Sequence, residues 1–158
     1  MTLRVKELPP YHVAYMRYVG PYGAHGIPQL WTAFRKWMDT RDLPMATTIR
    51  LGVGYDDASV TAAEKCRYDA CVVVPRDFTP DPWVNVMDLP GGKCAVYEFT
   101  GTAQEIATAW DRAFASWLPA SGYQPDDRPC CEVYGGATMV DAKKGVFRCE
   151  LWLPVRPL

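Results

Sequence analysis

The chain has 158 residues, 49% of them hydrophobic and 22% charged, with a formal net charge of −1. That is one globular domain's worth of sequence, long enough to bury roughly 68–70% of its unfolded surface without disulfides or a structural metal. The near-neutral balance and the lack of a basic run exclude a general nucleic-acid binder. The apolar stretches are strand-length, so no membrane-spanning helix is expected. Met1 to Pro10 lacks an apolar signal core, and a cytoplasmic location is expected.

The first strand-like run is Val13 to Gly20, VAYMRYVG. A helix pattern follows, with Ile27, Leu30, Trp31, Phe34, Trp37 and Met38 at spacings that share one helical face. Pro28 suits its first turn, and Pro44 lies near its end. Two further strands are expected over Thr48–Tyr55 and Cys66–Val74, joined by the polar segment Asp56–Lys65. Arg76–Pro82, with two prolines and two aspartates, reads as a linker. Val84–Met87 is expected to extend the next strand, with Pro90-Gly91-Gly92 as a turn or bulge within it.

Cys94 to Gly101, CAVYEFTG, then repeats the first strand's character. The second helix pattern is Ile106, Trp110, Ala113, Phe114, Trp117 and Leu118. Thr102 with Glu105 forms a capping box that fixes its start, and Pro119 lies near its end. Strands are expected over Cys130–Tyr134 and Val146–Val155, with a turn-like Gly135–Gly145 between them. Each half therefore reads strand–helix–strand–strand, repeated after about 80 residues. The expected fold is α+β and a single domain, with halves about 1–75 and 83–158. The two units pair into one antiparallel sheet with two helices on one face, leaving a central ligand groove at the pseudo-twofold axis.

The six cysteines lie mostly in apolar runs with no C-x-x-C spacing, and read as buried free thiols. His12 and His25 are far in sequence from any cysteine pair, and both read as surface residues. No metal or cofactor is expected. Nucleophile elbows, phosphate loops, dinucleotide fingerprints and H-E-x-x-H are all absent. Acidic residues inside strands carry more information. Glu132 shares a face with Cys130 and Tyr134, and Glu150 shares one with Arg148 and Trp152. Asp69 and Glu98 also sit within strands. Solvent-facing carboxylates would explain any one of these, since antiparallel sheets often have a wet face. A carboxylate among aromatic rings, however, is suited to a lipophilic cation, and desolvation there would also fit it for acid–base work. Tyr15, Arg17, Tyr18 and Tyr22 form a second aromatic cluster. Trp31, Trp37, Trp110 and Trp117 read as core anchors, with a place bordering the central groove also open to Trp110, which matches Leu30 in the repeat.

Seven segments in register resemble the GyrI-like small-molecule-binding family. They are Val19-Gly20-Pro21-Tyr22-Gly23, Gly54–Asp57, Ala63–Lys65 with Arg67–Pro75, Leu89–Tyr97, Trp117–Tyr123, Pro129–Tyr134 and Glu150–Val155. The resemblance implies the tandem fold and a ligand, commonly an aromatic or lipophilic cation, held against the carboxylate of Glu132. It matches Tyr134, Trp152 and Tyr15 to aromatic groove positions. Glu150, Tyr22 and Trp110 complete the candidate site. Relatives of this kind include effector-binding halves of AraC-type and MerR-type multidrug-sensing regulators, a stand-alone DNA gyrase inhibitor and some cyclopropanoid hydrolases. The pattern starts almost at Met1 and leaves no helix-turn-helix segment, so direct DNA binding is not expected. Gly135-Gly136-Ala137-Thr138 replaces the family's usual turn, and Cys131 stands where an aromatic is usual. That cysteine leaves room as an enlarged cavity or as looser packing. The leading expectation is a binding protein that sequesters or senses an amphipathic cation. The alternatives are a hydrolase using Glu132 or Glu150 to activate water, and a protein-binding inhibitor of gyrase.

Overall fold

A computed structural model describes residues 1–23 and 25–158. The elements in chain order are β1 (Arg4–Leu8), β2 (Tyr11–Val19), α1 (Gly26–Thr40), β3 (Ile49–Gly54), a 3₁₀ turn (Ala63–Lys65) and β4 (Arg67–Val73). They continue with β5 (Asn85–Leu89), β6 (Gly92–Gly101), α2 (Ala103–Arg112), β7 (Tyr123–Pro125), β8 (Cys130–Gly135), β9 (Met139–Asp141) and β10 (Val146–Pro157). The strands form one sheet in the order β1-β6-β10-β8-β3-β4-β2-β5, with β7 and β9 added along β10. Every pairing is antiparallel. The chain is thus α+β with both helices on one sheet face, as the repeat implies.

Two strands join the opposite half from the one their sequence position suggests. β1 pairs with β6 of the second half, and β5 pairs with β2 of the first. The expected extension of the second half's first strand is present, since Asn85–Leu89 runs on into β6 through Pro90-Gly91 in unbroken register, but beyond that bend it pairs with the first half. β1–β2 and β5–β6 thus form a two-stranded ribbon, bent at Pro9-Pro10 and at Pro90-Gly91. The bend needs Gly91, because a Cβ there would stand 2.5 Å from the Leu8 carbonyl oxygen and 2.6 Å from the Pro10 nitrogen.

The sheet is strongly curled. Tyr11 on β2 stacks on Trp152 on β10 with ring centroids 6.0 Å apart, although β8, β3 and β4 separate those strands in the sheet order. Only a concave helix-free face brings such side chains together. That concavity is filled by Val13, Leu51, Val53, Cys71, Val96, Val133 and Trp152, among others. On the opposite face, α1 buries Phe34, Trp37 and Met38 against Ala14, Ala70 and Val72. α2 buries Ile106 and Ala109 against Phe99, Cys149 and Leu151. Truncating a fully buried ring such as Phe34 to alanine would cost about 3–5 kcal/mol.

α2 starts where the capping box places it. Thr102 accepts from the Glu105 N–H at 3.3 Å, and the Glu105 carboxylate accepts from the Thr102 N–H at 3.0 Å. It then passes through a π-helical turn, Ala113–Trp117, and a last turn, Leu118–Ala120. The extra residue in that turn moves the buried positions from Ala113 to Leu118 and leaves Phe114 at 41% exposure. Phe114 accordingly leaves the apolar face that an unbroken α-helix would give it. All six cysteines are free, five buried and Cys130 half-buried. His12 is half-buried at the surface, where its ring bonds the exposed Asp88 at 2.8 Å. Among the described residues, no helix is long and apolar enough to cross a membrane.

Candidate functional site

The pairing register sorts the candidate residues between the two faces. Gly52 on β3 lies opposite Ala70 on β4 and opposite Glu132 on β8, and Glu132 lies opposite Leu151 on β10. Ala70 packs under α1 and Leu151 under α2, so Glu132 belongs to the helix-covered face. It stands at the centre of the sheet, between the two helices. Tyr134 and Trp110 join it there. Glu150, Trp152 and Tyr15 alternate onto the concave face, so they cannot share a cavity with Glu132. The aromatic cluster at the end of β2 divides the same way. Tyr15 and Arg17 face the concavity, whereas Tyr22 reaches the helix-covered side through its edge contact with Tyr68, at 6.4 Å between centroids.

The groove is built from both halves. α1 supplies Trp31, whose ring meets Tyr134 edge-on at 5.9 Å. β4 supplies Tyr68, whose hydroxyl accepts from the Trp31 indole N–H at 3.0 Å. β8 supplies Glu132 and Tyr134, and the Tyr134 hydroxyl donates to Glu132 Oε2 at 2.8 Å. α2 supplies Trp110. Glu132 lies deep in the body of the protein and is half-buried, as are its neighbours Trp31, Trp110 and Tyr134. Burial pushes its carboxyl above the ordinary value of 4.5. The Tyr134 O–H and the Trp110 N–H pull in the opposite direction, since both stabilise the ionised form.

Glu132 has no cationic partner among the described residues, where none of the ion pairs involves it. The buried Arg50 lies opposite Tyr134 in the ladder, but its guanidinium is spent on the carbonyls of Met45, Thr48 and Gly136 at the groove rim. Nor is Arg50 among the groups that shift Glu132. The site is therefore an aromatic groove around a desolvated, uncompensated carboxylate. Such an arrangement attracts a cation, and its raised pKa would also suit proton transfer.

The concave face holds a separate crevice lined by Tyr11, Leu51, Cys94, Arg128, Cys131 and Trp152. It has room for about one water molecule. The space beside Cys131 opens here and not into the groove. Glu150 accepts from the Trp152 indole N–H at 3.2 Å and faces Glu98 across the ladder. Asp69 is fully buried on this face and is held by Arg17 and Tyr55.

Trp31 and Tyr68 line the groove although sequence patterning points elsewhere. The helix spacing makes Trp31 a core anchor, and Tyr68 sits in the apolar run Tyr-Asp-Ala-Cys-Val-Val-Val beside the more conspicuous Asp69. The available signal was alternation, which sets Tyr68 on the face opposite Asp69.

Residues 1–156 match the GyrI-like small molecule binding domain, and the chain belongs to that family. The SPbeta prophage-derived protein YosT of Bacillus subtilis (strain 168), which carries the name of a transcriptional regulator, is 31% identical over 156 residues, covering 99% of this chain and 100% of its own. The DNA gyrase inhibitor of Cronobacter turicensis is 34% identical over 149 residues, covering 91% of this chain and 90% of its own. Among solved structures, the EcmrR C-terminal domain superposes with a TM-score of 0.76 at 14% identity, covering 99% of this chain and 98% of that one. SAV2435 bound to tetraphenylphosphonium superposes with a TM-score of 0.60 at 17% identity, covering 99% and 94%. At these identities the likeness to the solved structures is one of fold.

Proposed function

We propose that the protein binds an amphipathic aromatic cation in the groove between α1 and α2, with Glu132 as counter-ion, and that it acts by sequestering or sensing that cation. The observation that carries this reading is the Glu132 carboxylate, deep among Tyr134, Tyr68, Trp31 and Trp110 with no cation of its own. A cation entering the groove supplies the missing charge, and the ring faces add cation–π attraction. The tetraphenylphosphonium complex of SAV2435, a protein of similar fold, supports the choice of chemistry. Glu150, Trp152 and Tyr15, on the other face, take no part.

The test is a tryptophan-fluorescence titration with tetraphenylphosphonium and with the neutral triphenylphosphine oxide, for the native protein and Glu132→Gln. Saturable binding of the cation alone, weakened on the order of 2 kcal/mol in the variant, is expected. Equal binding of both probes, or an unaffected variant, contradicts it.

A second reading has its own support, since a relative matched across 90% of its length is named a DNA gyrase inhibitor. Inhibition of gyrase supercoiling by the purified protein would establish that role. It would not conflict with ligand binding in the groove.

A further inference from the structure

Tyr68 occupies a place that only a glycine beneath it permits. A Cβ on Gly52 would stand 2.0 Å from the Tyr68 hydroxyl oxygen and 2.8 Å from its ring carbon Cζ. The same point lies 3.4 Å from Glu132 Oε2. Gly52 has no left-handed backbone conformation to explain it, so close approach is its reason. The phenol of Tyr68 thus crosses the floor of the groove and ends beside the carboxylate.

The hydrogen bonding of that phenol is one-sided. Tyr68 is 6% exposed, and its oxygen accepts from the Trp31 indole N–H at 3.0 Å. Its own O–H has no acceptor among the described residues, while the Tyr134 hydroxyl already occupies Glu132 Oε2. A hydroxyl buried this deeply without an acceptor carries a desolvation penalty that an incoming acceptor would relieve. Burial and the Glu132 charge both keep the phenol protonated, so the donor stays available across the working pH range.

We infer that Tyr68 is a specificity-determining residue of the groove, donating its O–H to a ligand oxygen placed close to the cationic centre. The inference rests on the cation-binding reading above and narrows it. The preferred ligand is a lipophilic cation bearing an ether, carbonyl or hydroxyl oxygen within a few bonds of its charge. An all-carbon cation fits the walls and the counter-ion but leaves the donor unused.

The experiment compares n-butyltriphenylphosphonium with (2-methoxyethyl)triphenylphosphonium, which differ by one CH₂-to-oxygen replacement. Affinities are measured for the native protein, Tyr68→Phe, Trp31→Phe and Glu132→Gln. Tyr68→Phe should weaken the methoxyethyl probe about five- to tenfold more than the butyl probe. Trp31→Phe removes the indole donor but keeps the phenol. It should therefore weaken both probes equally and preserve their ratio, while retained binding of the butyl probe by Tyr68→Phe shows that this variant is folded. An unchanged ratio in Tyr68→Phe, with binding still sensitive to Glu132→Gln, overturns the role of Tyr68 and leaves the cation site standing. No binding of either probe to the native protein overturns both.

Discussion

Asp69 and Glu132 are both carboxylates set into central strands, but they differ in what answers their charge. Asp69 on β4 is fully buried on the concave face. Arg17 grips it with two hydrogen bonds of 2.8 and 2.9 Å, and the Tyr55 hydroxyl donates a third at 2.7 Å. The ion pair raises the Arg17 pKa further, and burial together with Asp69 raises that of Tyr55. Glu132 on β8 has the hydroxyl of Tyr134 and indole support from Trp110, and no cation. The first carboxylate is electrically closed and belongs to the structure. The second is open, and the groove above it is where a mobile cation can complete the pair. Burial alone does not mark a functional carboxylate; burial without a partner does.

The comparison can be broken most sharply at Asp69. Arg17→Met leaves a fully buried carboxylate without its cation. It should lower stability by about 3 kcal/mol in chemical denaturation. A change within 0.5 kcal/mol, the range of ordinary surface substitutions, would show that Asp69 does not depend on the pair. Glu132→Gln should do the reverse. It removes an uncompensated charge, so the ligand-free protein becomes more stable at neutral pH, while affinity for tetraphenylphosphonium falls about thirtyfold. Loss of both stability and binding would place Glu132 with Asp69 as a structural residue.

Removing one wall of the groove is a smaller step. Trp110→Leu should weaken cation binding by about 0.5–1 kcal/mol, read by calorimetric titration. The pH dependence sharpens the contrast further. The folded-state pKa of Glu132 lies above its unfolded value, so the folded protein holds the extra proton between the two. Its contribution to stability is therefore favourable at acid pH and is lost as pH rises through that window. Cation affinity runs the opposite way and falls as pH drops through the raised pKa. Both slopes should vanish in Glu132→Gln.

The repeat, the capping box and the helix faces were legible because each is a local pattern of side chains. The strand exchange was not. Asn85–Leu89 lengthens β6, as local pattern suggests, but that it pairs with β2 rather than with a second-half strand depends on the bend at Pro90-Gly91 and on a partner some 80 residues away in sequence. The π turn in α2 likewise hides in a sequence whose spacing also fits an unbroken helix. At the site, alternation placed Glu132 with Tyr134 and Glu150 with Trp152, but it fixes faces only within a strand. Relating one strand's faces to another's requires the register, and the register set the two pairs on opposite sides of the sheet. Trp31 escaped notice because a tryptophan that packs and one that walls a groove have the same helical spacing.

The most direct measurement is the pKa of the Glu132 carboxyl by ¹³C NMR, with and without saturating tetraphenylphosphonium. A value above 4.5 in the free protein that falls on binding is the result expected of an uncompensated carboxylate acquiring its counter-ion. A pKa that does not move when the cation binds would contradict the assignment of Glu132 as the partner of the charge.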